Sequence, residues 1–104
     1  MKIDVSEICG EDIISRDAGK KIRDLILSHW GEAEIEVIFG GRGVGSVSFF
    51  DEAIGLLMKR GGKKVEEIRR KIKFPDMKPE DRKLLNYVFS TRAQEMGNET
   101  NSHH

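Results

Sequence analysis

The chain has 104 residues, enough for one hydrophobic core and too few for two. Lysine plus arginine equals aspartate plus glutamate at 18 each, so no net charge draws it to nucleic acid or to a membrane surface. A single cysteine, Cys9, excludes an internal disulfide, and no apolar run approaches the roughly 18 residues of a spanning helix. With nothing at the start that reads as a leader peptide, the expected location is cytoplasmic. Cys9 reads as a small core residue, and His29 as a packing residue with no nucleophile supplied for it. No set of residues has metal-ligand spacing, so no metal and no cofactor is expected.

Met1–Cys9 alternates loosely through Ile3, Val5 and Ile8 and reads as an edge or second strand. Ser15 is placed to cap a helix in which Ala18, Ile22, Leu25 and Ile26 recur at helical spacing until Gly31. Ile35, Val37, Ile38 and Phe39 form a short β-branched and aromatic run, a buried strand. It breaks at Gly40-Gly41-Arg42-Gly43-Val44-Gly45, and a helix follows, with Ser48 as its expected N-cap and Asp51 closing a capping box. Phe50, Ala53, Ile54, Leu57 and Met58 make its inward face, and Gly61-Gly62 ends it. Lys63–Lys71 suits a short surface helix, Ile72–Phe74 a brief strand, and Pro79 with Glu80 and Asp81 starts a last helix that reaches Gly97. Residues 1–96 therefore form one alternating α/β domain, a small mixed or mostly parallel sheet flanked by helices. Residues 97–104 read as a disordered polar tail, and His103-His104 have the look of a purification-tag remnant.

The loop between the central strand and its helix is where a site is expected, because glycine backbone and a helix N-terminus expose N–H groups together. It lacks the lysine of a P-loop, since Ser46 follows Gly45, and it lacks the third glycine of a dinucleotide fingerprint. Gly41, Arg42, Gly43 and Gly45 remain candidate anion contacts. Ser46 and Ser48, at the junction, are candidates for capping or for phosphorylation. A basic cluster, Lys59-Arg60, Lys63-Lys64 and Arg69-Arg70-Lys71, contains Glu66 and Glu67 and reads as a solvated face, not a nucleic-acid site.

The segment Val44–Leu57, with Ser48-Phe49-x-Asp51-Glu52 followed by Leu56-Leu57, resembles the STAS-like family of unknown function, a relative of the sulfate transporter and anti-sigma factor antagonist domains. The likeness extends from Ser15-Arg16-Asp17-Ala18 to Ile72-Lys73-Phe74 and the last helix, roughly residues 3 to 95. The family pattern has an Asp-Phe pair before the loop; Phe39 matches, and Ile38 stands in place of the Asp. The resemblance implies a STAS-like fold and a non-enzymatic regulatory module that binds a protein partner. In the antagonist cousins, a serine at the start of this helix is phosphorylated by a kinase with a histidine-kinase-like ATP-binding fold, and the modification switches binding off. Ser48 and Ser46 are the nearest equivalents, with Phe49, Asp51 and Glu52 as candidate partner contacts. Phe49 lies about 100° round the helix from Phe50, which leaves two readings open: partly exposed beside the loop, or core together with Phe50. A small anion- or nucleotide-binding protein using the Gly40–Gly45 loop is the alternative.

Overall fold

The computed structural model describes residues 1–101, with side chains described through residue 95, so His103-His104 lie outside the described residues. The element order is β1 (Lys2–Asp4), α1 (Val5–Cys9), α2 (Arg16–Ser28), β2 (Ile35–Ile38), α3 (Val47–Phe50), a π segment (Asp51–Gly55), α4 (Leu56–Lys59), α5 (Val65–Lys71), β3 (Ile72–Lys73) and α6 (Pro79–Asn101). The sheet is three strands in the order β1-β2-β3, parallel throughout. In register, Ile3 faces Val37 and Ile35 faces Ile72.

Successive strand residues point to opposite faces. On β2, Ile35 and Val37 are buried and Glu36 and Ile38 half-buried, so the helices cover one face most completely. That face meets Ile22 and Ile26 of α2 and Phe50, Ile54 and Leu57 of α3, the π segment and α4 in a single apolar cluster. Phe39, at the end of β2, is the aromatic hub: Phe49, Phe50 and Phe74 have ring centroids 6.3, 6.2 and 6.3 Å away.

Several elements differ from the sequence reading, among them the helix after the loop, which is interrupted by the π segment. The first strand is three residues long, because the Asp4 carboxylate accepts from Glu7 N at 3.1 Å and caps α1 where continued strand was expected. Phe74 lies beyond β3, which closes at Lys73. The last helix passes Gly97 and runs to Asn101. The helix after the loop is capped by Ser46, not Ser48, since Gly45 at φ +60° turns the chain so that Ser46 is extended and its Oγ accepts from Phe49 N at 3.1 Å.

α2 crosses the rod formed by α3, the π segment and α4 at Gly19. A Cβ there would lie 2.8 Å from Phe49 O, 2.8 Å from the Glu52 Cβ and 3.2 Å from Ala53 N. Two of those three obstacles are backbone, which no rotamer change can clear. Gly19→Ala is therefore expected to destabilise the fold by about 1–2 kcal/mol despite the gain in helix propensity, read as a lower urea midpoint with the same m-value.

Candidate functional site

The glycine loop leaves β2 with Gly40, Gly41 and Gly45 all at positive φ, a path open to glycine and strained for other residues. Two carboxylates from the far end of the chain hold it. Asp76 accepts from Phe39 N at 3.0 Å and Gly41 N at 3.1 Å. Asp81, buried at 2% exposure, accepts from Val44 N and Gly45 N, each at 2.8 Å. Burial works against charge on Asp76, yet the N–H donors of Phe39, Gly41 and Gly40 together hold its carboxyl below the usual range.

This arrangement bears directly on an anion site. The N–H groups that a phosphate would need at residues 41, 44 and 45 already donate to the protein's own carboxylates, and those two negative charges repel a further anion. Arg42 turns away from the loop: its guanidinium donates to Ser6 Oγ at 3.3 Å and Glu11 O at 3.5 Å. Gly43 lies against the aliphatic stem of Lys78. The loop is thus a latched turn in which the N–H groups of Gly41, Val44 and Gly45 are spent internally.

At the junction Ser46 makes two bonds. Its Oγ accepts from Phe49 N and donates to Ile14 O at 2.7 Å, tying α3 to the segment before α2. Ser48 lies within the first turn of α3, half-buried and without a capping role. Of the two readings open for Phe49, the core one holds: it is 1% exposed, because the rod is packed on both sides, by α2 at Gly19 and by Phe39 and Phe50 in the core. It cannot reach a partner. Ile14, Val47 and Tyr87 can, at 56%, 40% and 59% exposure. Val47 follows the cap, Tyr87 shares a surface groove with it, and Ile14 carries the carbonyl that Ser46 holds.

Asp51 and Glu52 are half-buried and engaged in ion pairs. Arg92 grips Asp51 with two donors, Nε at 2.8 Å and a terminal nitrogen at 2.7 Å, and also reaches Glu95 at 3.2 Å. Arg16 bonds Glu52 at 2.9 Å and approaches Asp51 at 3.5 Å, while buried Arg23 donates to Glu52 O at 2.7 Å. Lys59 completes the row against Glu95 at 2.9 Å. The hydrogen bonds of Arg92 hold the Asp51 carboxyl below its ordinary range, burial notwithstanding.

A scan of known families matches residues 18–82, more than half the chain, to the STAS-like domain of unknown function (DUF4325). The chain belongs to this family. No curated protein and no solved structure matches it. The STAS-like match spans α2, the central strand, the loop, the rod, β3 and the start of α6, so it takes in Ser46 and both loop-latching aspartates. Within this STAS-like chain Cys9 is a quiet thiol: burial pushes it up and its Sγ faces Ala18 O at 3.7 Å. His29 closes α2 as its C-cap, and no helix is long and apolar enough to cross a membrane among the described residues.

Asp76 and Asp81 were missed as site residues. Asp81 was visible only as one of the acids behind Pro79, a local helix-start signal with nothing to show a second role 36 residues back.

Proposed function

We propose that this STAS-like domain is a non-enzymatic regulatory module that docks a protein partner through Ile14, Val47 and Tyr87, with phosphorylation of Ser46 releasing it. The observation that carries this reading is a surface groove shared by exposed Val47, next to the Ser46 cap, and exposed Tyr87, with exposed Ile14 tied to Ser46 through its backbone carbonyl. Ser46 supports it over Ser48 because its proton has a structural task. Transfer of a phosphoryl group from a kinase's ATP to Oγ replaces that proton, so the bond to Ile14 O is lost. About two negative charges then stand beside Gly45, whose N–H is held by the Asp81 carboxylate. The segment bearing Ile14 is pushed off, and the apolar surface comes apart. By likeness to the antagonist cousins, the partner is an ATPase of histidine-kinase-like fold.

Capture from native lysate by wild type, Ser46→Glu, Ser48→Glu and Tyr87→Ala tests this. Wild type and Ser48→Glu are expected to retain such an ATPase, while Ser46→Glu and Tyr87→Ala lose it. Losing the cap is expected to cost about 1 kcal/mol, so Ser46→Glu remains folded for the comparison. Equal capture by Ser46→Glu would remove the switch, and equal capture by Tyr87→Ala would remove the docking face.

A further inference from the structure

A second surface lies on the other side of α6 and does not depend on the reading above. At about 100° per residue, Arg82, Asn86 and Phe89 share one side of α6, and Tyr87, Thr91 and Glu95 share the opposite one. The first side borders a cleft of about 250 Å³ between α6 and the α5–β3 unit. Its floor is apolar, formed by Ile72, Phe74, Leu85 and Phe89. Its rim is cationic, formed by Arg69, Lys73 and Arg82, and among the described residues no carboxylate lines it.

The charges on this rim have no carboxylate partner among the described residues, in contrast to the paired row around Asp51. Arg69 lies over the Phe89 ring at 4.7 Å and Arg82 over the Phe74 ring at 5.7 Å. Lys73 is in register with Glu36 on β2, yet its Nζ donates to Arg69 O at 3.2 Å. Among the described residues none of the three pairs with a carboxylate, whereas Arg16, Arg23, Lys59 and Arg92 all do. β3 is also the end of the sheet, with β2 as its strand neighbour and none beyond it among the described residues. An unpartnered edge with an apolar floor and a rim of one sign is suited to an extended chain of the opposite sign.

We propose that this cleft binds an extended acidic segment of a partner protein, laid along the β3 edge. Its carboxylates would meet Arg69, Lys73 and Arg82, and an apolar side chain would rest on the shallow floor without displacing the guanidinium groups from the Phe74 and Phe89 rings. A nucleic acid fits less well: the rings of Phe74 and Phe89 are buried and already covered by guanidinium groups, so no face is free for a base to stack on.

The test is an NMR titration of the ¹⁵N-labelled protein with a short peptide alternating Glu and Leu, beside the same peptide with Lys for Glu and a single-stranded oligonucleotide. The acidic peptide is expected to shift amides of residues 68–74 and 82–89. The Arg69→Glu, Arg82→Glu double variant is expected to bind it at least roughly tenfold more weakly, the factor that two exposed ion pairs supply. Both side chains are exposed, and an unchanged spectrum outside the cleft verifies the fold. Absence of those shifts, equal binding of the Lys peptide, or tighter binding of the oligonucleotide would each overturn the proposal. The readout does not involve Ser46 or Tyr87, so failure here leaves the docking face untouched, and the reverse.

Discussion

Asp81→Ala is expected to remove about 3–4 kcal/mol from the stability of the fold. The carboxylate takes two backbone N–H groups at 2.8 Å in a site where Val44 and Asp81 are both buried. Each charge-assisted bond contributes about 1.5–3 kcal/mol, and truncation leaves the buried Val44 donor with no replacement, while water can reach that of exposed Gly45. Against a total of roughly 5–15 kcal/mol for a domain of this kind, that is a large share. In urea, with a slope near ~1.5 kcal/mol/M, the midpoint falls by about 2 M. Asp81→Asn separates charge from shape: its carbonyl oxygen still accepts one N–H, while its amide faces the other, so about half the loss is expected. Amide exchange at Val44 and Gly45 distinguishes loss of the latch from general weakening, since an unlatched loop exchanges well before the core does. A midpoint shift under ~0.5 M for Asp81→Ala would mean that the loop holds its path without the latch.

The same aspartate shows where sequence reading stops. Pro79, Glu80 and Asp81 announced a helix start, and α6 begins at Pro79. Helical spacing of Ala18, Ile22 and Ile26 and the Ser15 cap were local facts, and α2 follows them closely. The parallel α/β order was legible because strand and helix periods differ and alternate along the chain. What Asp76 and Asp81 do for the glycine loop was hidden, because nothing local in a turn acid shows which distant N–H it will accept from. Phe49 stayed open between surface and core for a related reason: position on a helix says which residues share a face, not how many neighbours enclose the helix. Gly19, whose missing Cβ lets α2 close on the rod, was the unread sign. The π segment had no signature in Asp-Glu-Ala-Ile-Gly at all, and its extra residue per turn became meaningful only with Asp51 seen against Arg92.

That ion pair makes the second large prediction, a pH-dependent one. Asp51 sits at the first residue of the π segment, with both oxygens on Arg92 and a third donor from Arg16. Its carboxyl is held below the ordinary range in the folded chain, and an unfolded carboxyl titrates near ~3.9. The unfolded state therefore binds more protons between those two values. The stabilisation is fully present above the ordinary value and is lost as pH falls through it toward the folded one. Asp51→Asn abolishes this contribution. At neutral pH the variant is expected to be about 2 kcal/mol less stable than wild type, between the weight of an exposed ion pair and that of a buried one. Once the pH has fallen through the lowered range of the folded carboxyl the gap is expected to close, since protonated Asp51 and Asn then present similar groups to Arg92. Urea midpoints of both proteins across that range measure it, and an Arg92→Gln cycle should return a coupling of about 1–2 kcal/mol. A gap of equal size at every pH would mean that Asp51 acts through packing at the π segment, where a Cβ on Gly55 would come within 2.5 Å of its Oδ1, and that its grip on Arg92 carries little weight.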